Sequence, residues 1–330
     1  MKINKLEILN NLTNHHLKNC KDYKKKITKI FNKNKINSIN DIPFISVNSF
    51  KNLELKSIKD KQIHKIMLSS GTSGKNSKIF LDLQNSKDQI EVLNDTFKKF
   101  VSDKRVPMLV IGRNPLLSKK KKFNAQTAAV IGFSIFSTKN FYLIDEYGEI
   151  NNEILNEFLK FIKKKNFLVF GFTFNIFDIL INKLNKKINF KNSILIHGGG
   201  WKKLENIQVS NEKLKNQLNK KYKFKNIINY YGLVEQTGSI FFECKRGYFH
   251  TSKFNDILVR NEKFEILKHN KKGLVQLLST IPKSYPGHSI LTEDIGKIFG
   301  EDSCSCGMSG KFFKIYGRIK KSEIRGCSNI

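Results

Sequence analysis

Continuous apolar runs that alternate with helical patterns are the feature that most limits how this chain can fold. Between residues 106 and 229, the runs 106–111, 167–170 and 193–196 are almost entirely apolar, and segments of helical periodicity separate them. A strand that is apolar on both faces is typical of a parallel sheet that helices cover on both sides. The sequence therefore predicts an α/β fold built on a parallel sheet.

The pattern changes after about residue 239. Short strands with turn residues between them follow at 240–242, 257–259, 274–278 and 295–299, which indicates a smaller antiparallel or barrel-like part. We predict three segments: an α/β core with N-terminal helices at 1–238, a β-rich sub-domain of the same core at 239–315, and a hinge-like C-terminal segment at 316–330.

Composition excludes a disordered chain and leaves the charge to be explained. The 330 residues are 39% hydrophobic and include 27 Phe, but the formal net charge is +32. A polyanionic partner would account for that charge; scattered lysines on every surface also account for it, and the lysines occur in every segment. The start of the chain lacks a signal-peptide pattern, and no apolar run is long enough to span a bilayer. Five cysteines in a chain of this length do not suggest a disulfide scaffold. A cytoplasmic protein is the simplest expectation.

A loop rich in Ser, Thr and Gly joins two short apolar runs, 66–68 and 79–81, that both read as strands. Its hydroxyls, its two glycines and Lys75 supply the donors and the positive charge that a polyphosphate requires. The spacing is not that of a Walker A loop, and a plain flexible turn is the alternative interpretation. Beyond the loop, Ser86 and Gln89 predict a capping box at a helix start.

Two glycine-bearing turns, HGGGW from His197 and YYGLVEQTGS from Tyr230, follow predicted parallel strands. Ligands of open α/β sheets bind outside the carboxyl ends of such strands. Glycine backbone and a tyrosine face suit an adenine ring, and Glu235 could ligate a magnesium ion that bridges phosphates. In the alternative interpretation, both tyrosines are core residues and Glu235 is a surface charge.

Two later segments offer charged groups for a ribose. Asp294, in SILTEDIG, could accept hydrogen bonds from both ribose hydroxyls, and Arg318, in YGRIKKSEIRGC, offers a guanidinium for ribose or phosphate.

Four segments, taken in chain order, resemble motifs of the adenylate-forming superfamily: SSGTSGKNSKIFLD, HGGGWKKL, YGLVEQTGSIFFEC and GRIKKSEIRGC. More closely, they resemble the LuxE-like acyl-protein synthetases of bacterial bioluminescence, which are long-chain-fatty-acid–luciferin-component ligases. The resemblance implies the large domain of an adenylate-forming enzyme. It also implies that ATP and magnesium activate a carboxylic acid, a fatty acid above all, to an acyl-adenylate. The acyl group would then pass to a protein thiol, which belongs to the enzyme itself, to a reductase or to an acyl carrier protein.

The resemblance also assigns roles to residues. Glu235 would ligate magnesium, Asp294 the ribose hydroxyls, and Arg318 the ribose at the hinge. The ATP phosphates would be held by five residues of the loop: Ser70, Thr72, Ser73, Gly74 and Lys75. The adenine would be held by four residues of the two turns: Gly199, Gly200, Tyr231 and Gly232.

The chain departs from the superfamily pattern in two places. Val234 stands where many members have a Thr before the magnesium-binding Glu, so one phosphate contact is missing, and Thr237 is a possible replacement. The sequence ends at Ile330, where the pattern predicts a small C-terminal domain with a catalytic lysine, so we expect that domain to be absent or truncated. In the bioluminescence family a cysteine near the C-terminus carries the acyl group. Cys327 matches it, and an inert terminal cysteine is the alternative.

Three further cysteines and a histidine form a separate set: Cys244, His250, Cys304 and Cys306. Three thiolates and one imidazole suit a closed tetrahedral zinc site, although the Cys-x-Cys spacing is tighter than in the usual knuckle. Reduced thiols without metal are the alternative.

Two other functions remain open from the sequence. A ligase related to phenylacetate activation would use coenzyme A as the acyl acceptor, but the expected lack of the C-terminal domain disfavours it. A basic nucleic-acid-binding protein would interleave aromatic and basic residues on an exposed sheet, whereas the Phe residues here lie in apolar runs. We therefore expect no nucleic-acid partner.

Overall fold

The computed structural model describes residues 4–31, 36–69, 76–117, 125–163, 165–200 and 209–319. The chain divides into two compact units, one formed by Met1–Thr96 with Gly232–Ile330 and the other by Phe97–Tyr231. Within the described ranges the helices are α1 (Lys5–Asn19), α2 (Lys21–Ile30), α3 (Ser49–Asn52), α4 (Leu83–Phe100), α5 (Ala125–Ser134), α6 (Asn152–Ile162), α7 (Thr173–Asn175) and α8 (Asn211–Tyr222). The strands are β1 (Ile45–Ser46), β2 (Lys65–Leu68), β3 (Lys78–Leu81), β4 (Val106–Arg113), β5 (Ser137–Ile144), β6 (Phe167–Phe172), β7 (Ser193–Gly198), β8 (Asn226–Gly232), β9 (Ile240–Phe242), β10 (Phe249–His250), β11 (Asn255–Arg260), β12 (Lys272–Ser279), β13 (Ser289–Glu301) and β14 (Lys311–Arg318).

The unit Phe97–Tyr231 contains the predicted parallel sheet. Its strands follow the order β5-β4-β6-β7-β8, and every neighbouring pair in that order is parallel. The central strand β6 is buried from Phe167 to Gly171, as expected for a strand with helices on both faces. The α/β fold class is therefore confirmed.

Helix α6 shows how the sequence builds this unit. The Asn151 side chain accepts a hydrogen bond from the Ile154 backbone N–H at 3.0 Å and caps the helix start. Leu155, Phe158 and Ile162 recur at helical spacing and are buried in the core. The face that the periodicity marks as apolar is thus the face that packs on the sheet.

The helix predicted at 176–184 has a different period from the expected one. After α7, residues Ile176–Lys183 form a π-helix. The buried Tyr222 hydroxyl donates to the Leu180 carbonyl at 2.7 Å and to the Leu184 carbonyl at 2.9 Å. A wider turn leaves carbonyls without their usual partners, and the tyrosine satisfies two of them.

The other unit contains the predicted antiparallel strands. Its sheet follows the order β10-β14-β13-β12-β11, and β1 pairs in parallel with β13. Helix α1 is fixed to this sheet by Lys5, whose ammonium donates to the Asn255 carbonyl at 2.8 Å and lies 3.4 Å from the Asp256 carboxylate. The segment boundaries that the sequence predicts after residues 238 and 315 stay a prediction.

Strands β2 and β3 form an antiparallel hairpin, with Met67 opposite Ile79, so the Ser/Gly loop joins strand to strand as expected. The capping box at Ser86 is wrong. Helix α4 already begins at Leu83, and the Asp82 carboxylate accepts from the Asn85 N–H at 2.7 Å. An aspartate is as good an N-cap as a serine, and it stands one turn earlier.

Candidate active site

Glu235 lies on a single 3₁₀ turn, Val234–Gln236, that follows β8. The turn is anchored because the Gln236 amide donates to the Leu277 carbonyl of β12 at 3.0 Å. Gly238, two residues after the turn, has a left-handed backbone conformation with φ +81°. Any other residue there would place its Cβ 2.8 Å from the Cα of Gln89, so glycine is required. Glu235 is only 6% exposed, so the interpretation of this residue as a surface charge is wrong.

Burial raises the pKa of Glu235, while a nearby serine hydroxyl and two cations, Lys51 and Arg318, oppose that rise. The serine, Ser77, lies beside the carboxylate, but its hydroxyl does not reach hydrogen-bonding geometry. A buried carboxylate without a strong ion pair is costly as an anion. A divalent cation would relieve that cost, and carboxylate oxygen is a ligand that Mg²⁺ accepts.

Further polar atoms near Glu235 fit such an ion. The hydroxyls of Ser77, Thr237 and Tyr285 are buried and have no hydrogen-bond partner among the described residues. Thr237 and Glu235 both lie close enough to Tyr285 to influence the pKa of its hydroxyl, which burial raises. A hydrated metal ion needs such acceptors and donors around it, so the residues present fit the group.

Asp294 and Arg318 face each other across β13 and β14. The Asp294 carboxylate lies 3.5 Å from the Arg318 guanidinium, and Asp294 is buried. The Thr292 hydroxyl accepts from the Asp294 backbone N–H at 3.1 Å and donates to the Val275 carbonyl at 2.9 Å, which fixes this part of the strand. Because Arg318 acts on both carboxylates, the structure brings Glu235, Asp294 and Arg318 into one region of this unit.

The glycine turn after β7 belongs to the unit Phe97–Tyr231. Gly199 has φ +78°, and Gly199 and Gly200 are both exposed. A Cβ on Gly198 would lie 2.6 Å from the Tyr230 ring, so only glycine allows β7 and β8 to approach this closely. Tyr230 is buried and Tyr231 is partly exposed. Of the two, Tyr231 is the more exposed, and the adenine contacts stay a prediction.

His197 is a buried neutral imidazole at the end of β7. Its Nδ1 lies 3.0 Å from the Thr173 hydroxyl, and burial together with the charge of Lys215 lowers the pKa to about 3. The contact with Thr173 joins the ends of two neighbouring strands, which is a structural role.

Six predicted site residues lie outside the described ranges: Ser70, Thr72, Ser73, Gly74, Lys75 and Cys327. The base of the phosphate loop is described. Ser69 N–H donates to the Ser77 carbonyl at 3.1 Å, and the Ser69 hydroxyl accepts from the Ser77 N–H at 2.8 Å. The loop is therefore closed at its base next to the serine that lies beside Glu235.

The four predicted metal-binding residues come together. The ligand atoms of Cys244, His250, Cys304 and Cys306 all lie within 4.8 Å of one another, and Cys306 Sγ lies 3.4 Å from His250 Nε2. With bond lengths of about 2.3 Å for Zn–S and about 2.0 Å for Zn–N, tetrahedral ligands lie about 3.5–3.8 Å apart. The cluster could hold one metal ion.

Two similar turns present these thiols. Gly247 N–H donates to the Cys244 carbonyl, and Gly307 N–H donates to the Cys304 carbonyl; both glycines have positive φ, +77° and +84°. Backbone N–H groups also approach two of the sulfurs. The Arg246 N–H donates to Cys244 Sγ and the Met308 N–H donates to Cys306 Sγ, each at 3.4 Å. Such N–H groups stabilise thiolates, which is the form that binds metal.

Sequence reasoning missed Ser77, Tyr285 and Asn85. Ser77 stands at the end of the predicted phosphate loop, and its alternation with buried Ile79 was a usable signal. Tyr285 and Asn85 carry no motif, because their positions depend on contacts between distant parts of the chain.

Comparisons with known proteins identify the family and the fold. Residues 1–330 match the family described as acyl-protein synthetase, LuxE. No curated protein sequence matches the chain. Among solved structures, 2-hydroxyisobutyryl-CoA ligase in complex with 2-HIB-AMP and CoA is similar with a TM-score of 0.70 at 10% identity, over 96% of this chain and 69% of that one.

Two further structures share the fold. ATP-bound MatB from Rhodopseudomonas palustris is similar with a TM-score of 0.52 at 12% identity, over 79% of this chain and 49% of that one. The luciferase-like enzyme from the nonluminescent mealworm Zophobas morio is similar with a TM-score of 0.53 at 15% identity, over 80% and 60%. The chain thus spans about half of MatB, and the described residues include no helix long and apolar enough to cross a membrane.

Proposed function

The chain belongs to the acyl-protein synthetase (LuxE) family of adenylate-forming ligases, and we propose that it activates a carboxylic acid with ATP and transfers the acyl group to a protein thiol. The observation that carries this proposal is the buried Glu235 near the Asp294–Arg318 pair, in a fold shared with a ligase that was crystallised with 2-HIB-AMP and CoA.

In the first step, an oxygen of the substrate carboxylate attacks the α-phosphorus of ATP, and pyrophosphate leaves. Two anions must approach each other, so positive charge has to offset their repulsion. Magnesium, when bound, would supply part of that charge, with Glu235 as its ligand. Arg318 would add a cation near the ribose, Asp294 would accept the ribose hydroxyls, and Lys75 with the hydroxyls of its loop would hold the phosphates.

In the second step, a thiolate attacks the carbonyl carbon of the acyl-adenylate, and AMP leaves. We propose Cys327 as the first acceptor, because the neighbouring Lys321 and Arg325 favour a thiolate. A fatty acid fits the family best, and a reductase or a carrier protein is the final acceptor that this chemistry suits.

We also propose that the metal in the cysteine–histidine cluster is zinc and that its role is structural. Three thiolates and one imidazole close a tetrahedral site and leave no open position for a substrate. The matched turns that present Cys244 and Cys306, with their N–H contacts to sulfur, support this assignment.

The test is ATP–pyrophosphate exchange with a panel of fatty, aryl and short hydroxy acids, followed by intact-mass analysis with or without coenzyme A. We expect exchange that requires acid and Mg²⁺, and an acyl adduct on the protein. Cys327→Ala should abolish the adduct and leave exchange intact, with Cys20→Ala as the matched control. Acylation of Cys327→Ala to the wild-type level contradicts the acceptor assignment, and absence of exchange with every acid contradicts the proposed activity.

A further inference from the structure

Tyr285 is a fully buried tyrosine whose ring lies against the backbone of Glu235. A Cβ placed on Gly287 would lie 2.2 Å from Cε2 and 2.9 Å from Cζ of Tyr285, and 2.6 Å from the Glu235 carbonyl oxygen. The edge of the ring that carries the hydroxyl is therefore the edge that approaches the Glu235 turn. On another side, the ring contacts Phe50 edge-on, with 6.3 Å between the ring centroids.

The segment that carries Tyr285 is held rigidly by helix α4. The Asn85 side-chain carbonyl accepts from the backbone N–H groups of Lys283 at 2.9 Å and Ser284 at 3.1 Å. Its amide donates to the Ile281 carbonyl at 3.1 Å. Asn85 is itself only 1% exposed. Because these bonds are buried, the backbone that leads into Tyr285 is held in place against helix α4.

The Tyr285 hydroxyl has no hydrogen-bond partner among the described residues, although the residue is 0% exposed. A buried hydroxyl that lacks a partner destabilises the folded state, and a phenylalanine would fill the same space without that cost. The hydroxyl of Ser77, beside the Glu235 carboxylate, and that of Thr237, beside the Tyr285 hydroxyl, share this condition. Three such groups close to one buried acid indicate a polar ligand that completes their hydrogen bonds.

We propose that Tyr285 is a positioning residue of the nucleotide site: its hydroxyl, with that of Thr237, hydrogen-bonds the water shell of the divalent cation that Glu235 ligates. This inference rests on the proposed function. Mg²⁺ keeps several of its waters in protein sites, and each of these waters needs a partner.

The decisive variant is Tyr285→Phe, which deletes only the hydroxyl. Binding of Mn²⁺ in the presence of ATP, followed by electron paramagnetic resonance, should weaken about tenfold, since groups that orient metal ligands affect affinity by 10–100-fold. In the exchange assay, the Mg²⁺ concentration for half-maximal rate should rise about tenfold, while KM for the acid stays unchanged. A residue with a purely structural role would leave the metal dependence as it is.

Tyr23→Phe is the matched control. Tyr23 is also 0% exposed with an unpartnered hydroxyl among the described residues, but it lies beside His16 and His288. This variant should bind Mn²⁺ as the wild type does.

Wild-type Mn²⁺ affinity in Tyr285→Phe overturns the inference. If Tyr285→Phe does not fold by circular dichroism, Thr237→Val replaces it in the same titration, and an unchanged affinity there overturns the inference equally. Absence of exchange in the wild-type protein contradicts the proposed function, whereas the Mn²⁺ titration still decides the role of Tyr285.

Discussion

At the residue scale, Asp294 and Arg318 form an unequal pair. The Asp294 side chain is 10% exposed and that of Arg318 is 65% exposed. An ion pair with one partner in water adds little to stability, usually less than about 1 kcal/mol. The ion pair with Arg318 is therefore not a reason to expect a large loss of stability, and the proposed acceptance of ribose hydroxyls by Asp294 needs its own test.

We predict that Asp294→Asn raises KM for ATP by about tenfold or more, because a hydrogen bond to a charged group contributes about 1.5–3 kcal/mol. Arg318→Gln should change the free energy of unfolding by less than about 1 kcal/mol. Steady-state exchange kinetics and urea unfolding measure the two effects.

Asp256→Asn is the control for this prediction. Asp256 is buried and pairs with Lys311 at 2.9 Å and Lys5 at 3.4 Å. This variant should lose stability and keep its KM for ATP. Equal values of KM in Asp294→Asn and the wild-type protein would exclude the ribose role.

Motifs singled out Glu235, in a glycine-bearing turn after a predicted strand, and Asp294, just before a predicted strand. The strand in fact begins earlier, at Ser289, so Asp294 lies within β13. Tyr285 could not be found in this way. In the sequence it precedes Pro286 and Gly287 and therefore resembles a turn residue. Its burial depends on Phe50 and Asn85, which are more than 190 positions away.

At the scale of elements, the hairpin of β13 and β14 connects two sites. One end pairs Asp294 with Arg318, and the connection at the other end carries Cys304 and Cys306. A metal ion bound there would join this connection to the turn of Cys244 and to β10, which carries His250. Metal binding to such a site contributes directly to folding.

We predict about one zinc ion per purified chain, measured by inductively coupled plasma mass spectrometry. Cys306→Ser should lose the zinc and lower the free energy of unfolding, because the remaining ligands no longer close the tetrahedron. Cys20→Ala should keep its zinc, since Cys20 is buried at the start of α2, outside the cluster. Zinc-free protein whose unfolding is unaffected by added zinc or chelator would contradict the assignment.

The elements themselves were predictable to different degrees. Continuous apolar runs identified the parallel strands β4, β6 and β7, because no other element buries both faces over so short a length. Strand β5 was not identified, because polar residues at its start interrupt the apolar pattern. The start of α4 was misplaced, because Asp82 and Ser86 are both good N-caps and only the structure shows which one is used. The π-helix after α7 was not predictable, since its carbonyls depend on Tyr222, about 40 residues away.

At the scale of the whole molecule, the N-terminal helices are joined to the segment of Tyr285 through two buried histidines. His16 and His288 stack at 5.0 Å between ring centroids. His16 contacts the Ser57 hydroxyl at 2.8 Å, and His288 contacts the Thr13 hydroxyl at 2.9 Å. Burial lowers the pKa of His16 well below 6.5 and that of His288 to about 3.

Both histidines are therefore neutral in the folded protein, whereas the unfolded chain binds their protons below about pH 6.5. Because the unfolded state then binds more protons, stability falls as the pH drops below 6.5. For His288 the loss continues towards pH 3 at about 1.4 kcal/mol per pH unit, and His16 acts in the same direction. Above pH 6.5 this contribution is constant. We predict that His288→Gln, which cannot be protonated, loses stability less steeply between pH 7 and pH 5 in urea unfolding. His269→Gln alters an exposed histidine and should keep the wild-type slope. Parallel curves for His288→Gln and the wild-type protein would show that the pair does not control acid stability, and the carboxylates would then account for it.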